Sequence, residues 1–163
     1  METTNLMECN DAVIRFSGDS GDGMQLAGTL FSDTSALKGN GISTFPDYPA
    51  EIRAPQGTVA GVSGFQVHFG SHRILHPGDA CDVLVAMNPA ALKANRNKIK
   101  KSATIIIDGG SITEENLKRA QFETLDPIAE LGLGDYNIAV PDITAMTQAA
   151  LADSGLDRKS IVK

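Results

Sequence analysis

Residues 16–28 read FSGDSGDGMQLAG. An apolar run at 12–16 enters this stretch, and a helical pattern at 24–38 leaves it. Gly18, Gly21 and Gly23 fall between the two, and Gly28 lies one turn into the helix. A strand, a glycine turn and a helix N-terminus open the nucleotide-binding α/β folds. Glycine permits a sharp turn and a close backbone approach, and the free N–H groups of a first helical turn attract anions. The details depart from that pattern. The spacing is G-x-x-G-x-G, not the dinucleotide G-x-G-x-x-G, and no Gly-Lys-Ser/Thr follows. Asp19 and Asp22 stand where a phosphate would come, and a carboxylate at a helix N-terminus repels a second anion. Two readings stay open: Gly18, Asp19, Ser20, Gly21, Asp22 and Gly23 hold a cofactor, or they only build and cap the turn.

The 163 residues support one domain with a single core, and 42% apolar content is ordinary for a globular chain. A formal charge of -6 and a pI near 4.9 argue against general nucleic-acid binding. No apolar run approaches the roughly 20 residues of a membrane span. The N-terminal METTNLMECND lacks the basic region and apolar core of a secretion signal. Cys9 and Cys81 form no C-x-x-C and read as reduced thiols of a cytoplasmic protein, not as a disulfide or iron–sulfur site.

After the first helix, stopped by Gly39 and Gly41, residues 42–45 form a short strand. FPDYPAEIRAPQGT, residues 45–58, follows. Pro46, Pro49 and Pro55 exclude a helix or a central strand. Asp47, Tyr48, Glu51 and Arg53 make this either a functional loop or a stiff connection with its charges in water. Residues 59–69 alternate, with Val59, Phe65, Val67 and Phe69 on one face and Gln66 and His68 on the other. This predicts a half-buried strand antiparallel to the rest. Gly61 and Gly64 predict a bulge or a close backbone approach within it. His68, His72 and His76 recur every four residues, but Gly70 and Pro77-Gly78 break any helix there. They read as surface histidines and not as a metal face.

DVLVAM at 82–87 predicts a buried parallel strand, followed by a helix capped by Asn88, with Pro89 first, running to about residue 101. Lys93, Arg96, Lys98, Lys100 and Lys101 either suit the dipole at its end or form a docking patch for an acidic partner or a phosphate. A strand at 103–107, a capping box at 111–114 that opens a short helix, and a strand at 137–140 come next. The last helix starts at Pro141-Asp142, shows Ile143, Met146, Ala149, Ala150 and Leu151 on its apolar face, and stops at Ser154-Gly155. The order β-α-β, return strand, β-α-β-α-β-α predicts a Rossmann-like three-layer α/β sandwich, its mostly parallel sheet carrying one antiparallel insertion strand. The glycine loop, the turn after Phe45 and the turn at Asn88 then share the carboxyl edge, where such sheets bind ligands. No G-x-S-x-G, no H-E-x-x-H and no close Cys/His pairing is present. Gly21-Asp22-Gly23 matches the start of the thiamine diphosphate signature, but the Asn-Asn pair that signature needs is absent.

FSGDSGDGMQLAG followed by FPDYPAEIRAPQGTVAGVSGFQVHFGS, with VLVAMNPAAL and IIIDGG later, resembles the N-terminal domain of the alpha subunit of 2-oxoacid:ferredoxin oxidoreductases, in particular the 2-oxoglutarate type. The resemblance covers nearly the whole chain and implies one gamma-type domain over residues 1–163 of a longer alpha subunit, inert by itself. It implies partners, namely the beta subunit, the remaining alpha portion and ferredoxin, in an oligomer. It further implies coenzyme A as cosubstrate, with thiamine diphosphate, Mg and iron–sulfur clusters held elsewhere in the assembled enzyme. On that resemblance the turn from Gly18 to Gly23 is where a coenzyme A phosphate or its pantetheine arm approaches. Asp47, Tyr48 and Arg53 meet the active site or a neighbouring subunit, with Arg53 free to bind an anion or paired to Glu51 or Asp47. A free-standing nucleotide- or coenzyme A-binding module and a purely structural interaction domain are the alternatives.

Overall fold

The computed structural model describes residues 9–51 and 53–152. The elements are β1 (Asp11–Asp19), α1 (Met24–Leu37), β2 (Gly41–Asp47), β3 (Val62–Gly70), β4 (Cys81–Ala86), α2 (Pro89–Asn95), β5 (Ile99–Ile107), α3 (Glu114–Arg119), α4 (Pro127–Glu130), β6 (Asn137–Ala139) and α5 (Ile143–Ala150). They build one six-stranded sheet in the order β2-β3-β1-β4-β5-β6. β1, β4, β5 and β6 pair in parallel, and β3 runs antiparallel to both of its neighbours, β1 and β2. The α/β architecture and the antiparallel insertion are as the sequence predicts.

Strand alternation sorts the layers. Phe16 of β1 and Phe65 and Phe69 of β3 face α1, where Phe31 sits 5.8 Å from the Phe16 ring and 5.2 Å from the Phe69 ring. The residues between them, Arg15 and Ser17, face the opposite side and meet Asn95 of α2. The main core forms on the α2 side and between the central strands. Leu84, Ala86, Ile105 and Ile107 pack there with Ala91 and Leu92 of α2 and with Leu131 and Leu133 beyond α4. A continuous apolar run such as DVLVA in β4 suits a strand covered on both faces.

Several boundaries differ from expectation. α2 stops at Asn95, not near residue 101, because Asn95 turns its side chain inward. Its Nδ2 donates to Ala91 O at 2.7 Å and to Ser17 Oγ at 2.8 Å. A 3-10 turn, Arg96–Lys98, then leads into β5, so Lys100 and Lys101 lie in a strand. Lys93 alone lies in the last turn of α2, and the cations do not form one patch, since four of the five take separate partners. Lys93 reaches Gln121 O and stands 4.6 Å over the Phe122 ring, Arg96 donates to Leu131 O, and Lys100 pairs with Asp82.

β3 begins at Val62, with Val59–Gly61 a 3-10 turn before it. It is buried on both faces, because Gln66 and His68 are covered by the 76–78 segment to which they hydrogen-bond. His68 is therefore not a surface histidine. The cap of α3 is Thr113, whose side chain accepts the Asn116 N–H, while Ser111 Oγ donates to Asp108 O in the preceding turn. On α1 the apolar side chains are only partly inward. Leu26, Leu30 and Leu37 are exposed, and the buried positions are Met24, Gly28 and Ser35. Small residues there let the helix lie close to the sheet. α5 has no buried residue, and its predicted stop at Ser154-Gly155 lies outside the described residues.

Candidate functional site at the carboxyl edge

Strand β1 points Arg15, Ser17 and Asp19 to one side, and each ties down a different piece of chain. The Arg15 side chain is 4% exposed. Its Nε donates to Asn95 Oδ1 at 2.5 Å, its Nη1 to Gln66 Oε1 at 3.3 Å, and its Nη2 to Asp47 Oδ2. Lys98 Nζ shares that same carboxylate at 3.1 Å. Ser17 Oγ donates to Ser63 O at 2.9 Å. Asp19 Oδ2 accepts the Gly57 N–H at 2.9 Å. The loop after β2 is thus held at its start, Asp47, and near its end, Gly57, by two charged groups four residues apart on β1. Its prolines limit the freedom of what lies between.

The glycine turn is closed by its own aspartates. Asp22 N–H donates to Asp19 O at 2.9 Å, and Asp22 Oδ2 accepts the Asp19 N–H at 2.8 Å. Gly18 leaves room for this, since a Cβ there would lie 2.7 Å from Asp22 Oδ2. Gly23 is the N-cap of α1 with φ 75° and supplies no side-chain cap. Ser20 and Gly21 are exposed at the tip.

A cavity of about 210 Å³ opens beside this turn. Asp19, Asp22, Met87 and Asn88 line it from the ends of β1 and β4, Gln56 and Gly57 from the clamped loop, and Ser111, Asn116 and Arg119 from α3 and the turn before it. The expected convergence of the glycine loop and the Asn88 turn on one edge is therefore present. Burial pushes the Asp19 carboxyl above its ordinary value, against the Gly57 N–H, the Asn88 amide and the Arg119 charge. Asp22 is also raised, by burial first, against the Asp19 N–H, with the charges of Asp19 and Asp108 adding to the rise. A second cavity, about 160 Å³, lies between Asp47, Tyr48, Val59, Asn95 and Lys98 over the Arg15 guanidinium. Burial acts upward on Asp47, but the hydrogen bonds and charges of Arg15 and Lys98 outweigh it and hold the carboxyl below its ordinary value.

The predicted site residues therefore divide. Asp19 and Asp22 line the first cavity, and Asp47 and Tyr48 the second. Arg53 is exposed and lines neither, and among the described residues no ion pair engages it. Asp47 is held by Arg15 and Lys98, not by Arg53. Sequence reasoning missed Arg15, Asn95, Gln56, Asn116 and Arg119. Only Arg15 carried a signal, as the one charge inside the apolar run 12–16.

The residues present do not fit thiamine diphosphate or an iron–sulfur cluster. The chain has no Asn-Asn pair, and of its two free cysteines Cys9 is exposed while Cys81 is buried. Among the described residues no group of three or more His, Cys, Asp or Glu side chains is arranged to hold a metal ion. His68 Nε2 and His72 Nε2 both approach the Asp11 carboxylate, at 3.3 and 3.6 Å. Among the described residues no helix is long and apolar enough to cross a membrane.

The chain is an α/β domain with a polar cavity at the carboxyl edge of its parallel strands, the edge at which such sheets bind ligands. The chain belongs to the pyruvate ferredoxin/flavodoxin oxidoreductase family, whose model matches residues 13–161. It is 46% identical over 149 residues to the 2-oxoglutarate oxidoreductase subunit KorA of Mycobacterium tuberculosis, covering 91% of this chain and 23% of that protein. A solved 2-oxoglutarate:ferredoxin oxidoreductase from Magnetococcus marinus, with 2-oxoglutarate, coenzyme A and succinyl-CoA bound, matches with a TM-score of 0.65 and 26% identity. That match covers 89% of this chain and 22% of the other. The gamma subunit of a keto/oxoacid ferredoxin oxidoreductase from Geobacter sulfurreducens shares the fold at a TM-score of 0.58 and 21% identity, over 88% of this chain and 67% of that one. The chain thus spans about a quarter of the length of its curated relative.

Proposed function

We propose that residues 1–163 are the gamma-type domain of the alpha subunit of a 2-oxoacid:ferredoxin oxidoreductase, with 2-oxoglutarate as the oxoacid. The assembled enzyme oxidatively decarboxylates the oxoacid, passes electrons to ferredoxin and releases an acyl-CoA. This domain serves the coenzyme A side and the assembly. The beta subunit and the rest of the alpha subunit are its partners, in a cytoplasmic oligomer. Thiamine diphosphate with Mg and the iron–sulfur clusters belong to those partners, which fits a chain whose own side chains suit neither.

One observation carries the proposal. The two stretches most particular to the family resemblance, 16–28 and 45–58, meet at one cavity through the hydrogen bond from Gly57 N–H to Asp19. A relative solved with coenzyme A bound supports reading that cavity as a coenzyme A contact. Within it, Asn88, Ser111 and Asn116 offer neutral hydrogen-bonding groups and Arg119 a cation at the rim. The clamp from Arg15 and Asp19 holds the loop that presents Tyr48 and Arg53 outward, where a substrate anion or a neighbouring subunit would meet them.

The test is turnover by the full-length alpha subunit purified with its beta subunit. Supplied with 2-oxoglutarate, thiamine diphosphate and coenzyme A, the complex reduces a viologen dye. Arg53→Ala lowers that rate while the protein stays folded. A fully loaded complex inactive on every common 2-oxoacid would refute the proposal, and an Arg53→Ala enzyme with unchanged kinetics would remove Arg53 from the site.

A further inference from the structure

Helix α1 lacks the charged outer face of a helix that borders water. Its 14 residues, MQLAGTLFSDTSAL, hold a single charge, Asp33. At about 100° per residue, Leu26, Leu30 and Leu37 fall within roughly 40° of one another. Opposite them lie Met24, Gly28 and Ser35, the positions buried on the sheet. The three leucines are 64%, 57% and 88% exposed. A surface helix sets charged and polar groups opposite its core face, whereas a helix apolar on both sides is one covered on both sides.

The hydroxyls flanking the leucines are already satisfied. Thr29 Oγ1 donates to Gln25 O and Thr34 Oγ1 to Leu30 O, each at 2.8 Å, and both threonines are exposed. A bond to the carbonyl four residues back frees a hydroxyl from its need of water. Covering this face therefore strands neither hydroxyl. Asp33 is the exception. It is exposed, and among the described residues no cation pairs with it.

Size and charge decide what covers the face. The three leucines together expose on the order of 400 Å². A free association of two proteins buries about 800 Å² on each partner, twice as much. A second copy packed here about a two-fold axis through the middle of the stripe would also bring two Asp33 carboxylates together. A face of this size is held by a segment that the same chain keeps close, where linkage has already met the entropy of association. Such a segment is available in the curated relative, of which this domain covers only 23%.

We propose that Leu26, Leu30 and Leu37 of α1 are covered by an apolar helix from the remaining alpha portion of the same subunit, with a lysine or arginine set against Asp33. The proposal rests on the reading of this chain as one domain of a longer alpha subunit. Leucines spaced four and seven residues apart form the kind of ridge that packs into the groove of a second helix.

The test puts the photo-crosslinking residue p-benzoylphenylalanine in place of Leu30 in the full-length alpha subunit, purified with its beta subunit. After irradiation, peptide mass spectrometry finds position 30 joined to an apolar peptide of the alpha portion outside this domain. In parallel, Leu30→Cys reacts with a maleimide about tenfold more slowly in the complex than in the 163-residue chain, where the face is open. Leu37→Cys repeats the comparison should Leu30→Cys fail to fold. A cross-link to the beta subunit, or to residues 1–163 of a second copy, would overturn the proposal by naming another occupant. Equal labelling in complex and chain would leave the face in water and overturn it as well. Viologen reduction by the parent complex is read separately. Its absence refutes the enzymatic reading and does not alter where position 30 cross-links.

Discussion

The Arg15 guanidinium grips the Asp47 carboxylate across an intervening strand. Arg15 lies in β1 and Asp47 ends β2, and β3 runs between them in the sheet. The side chain passes over Gly64 of β3, where a Cβ would stand 3.1 Å from Nη2. The glycine of β3, the arginine of β1 and the aspartate that opens the proline-rich loop are one device. Arg15→Met strips Asp47 of its buried partner and leaves Asn95 Oδ1 without a donor, at a cost of about 3 kcal/mol. Gly64→Ala displaces the guanidinium and costs on the order of 1–3 kcal/mol. Lys98→Ala, at the exposed side of the same carboxylate, costs less than about 1 kcal/mol. Urea unfolding orders the three, and an Arg15→Met chain as stable as the parent would mean that the clamp carries no stability.

The carboxylates of the two cavities respond to pH in opposite directions. Asp47 is held below its ordinary value of 3.8, so its contribution is present above that pH and is lost as pH falls through the depressed value. Asp22 is raised above 3.8, so its contribution is full below that pH and is lost as pH rises through the raised value. Asp22→Asn can still accept the Asp19 N–H but carries no charge beside Asp19 and Asp108. The variant melts higher than the parent at pH 7, and the difference shrinks as pH falls to 3.8. Asp47→Asn behaves inversely, melting lower at pH 7 and converging with the parent in acid. Melting curves between pH 3 and pH 7 check both signs.

The glycines of the opening stretch have separable roles. A Cβ on Gly28 would lie 2.1 Å from the Phe65 ring, so α1 can rest on β3 only because this residue has no side chain. Gly28→Ala forces Phe65 from its place and costs on the order of 1–3 kcal/mol. A Cβ on Gly21 meets nothing nearer than Gln56 Nε2 at 3.7 Å, and Gly21→Ala stays within about 0.5 kcal/mol. Equal losses at the two positions in thermal unfolding would contradict this division.

The strand–turn–helix at 12–38 and the buried runs 82–87 and 103–107 were legible because each follows a period that local sequence displays. The insertion of β3 between β2 and β1 was legible only as an antiparallel return, since strand neighbours are chosen by the whole sheet. Two of the misplaced features share one cause, a polar side chain turned inward by a distant partner. Asn95 ends α2 early because Arg15 and Ser17, about 80 positions away, claim its amide. His68 and Gln66 look solvent-facing by alternation but bond backbone carbonyls of residues 76–78. At the site, the awkward aspartates of the glycine loop were visible. Their task, closing the turn and holding Gly57, needed the fold.

The two thiols differ in reactivity for a physical reason. Cys81 begins β4, is fully buried, and has its pKa pushed by burial up to about 11. At pH 8 its thiolate is present in only about one molecule in a thousand, and the attacking reagent also lacks access. Cys9 is exposed ahead of β1, and both thiols are free. Iodoacetamide at pH 8 therefore adds a single label, at Cys9, read by mass spectrometry of the peptides. Cys81 labels only when denaturant opens the sheet, so its labelling midpoint coincides with that of unfolding. Rapid labelling of Cys81 in the native chain would show that β4 opens at its amino end without global unfolding, and would place the weak point of the sheet at the register shift between Cys81 and Val83.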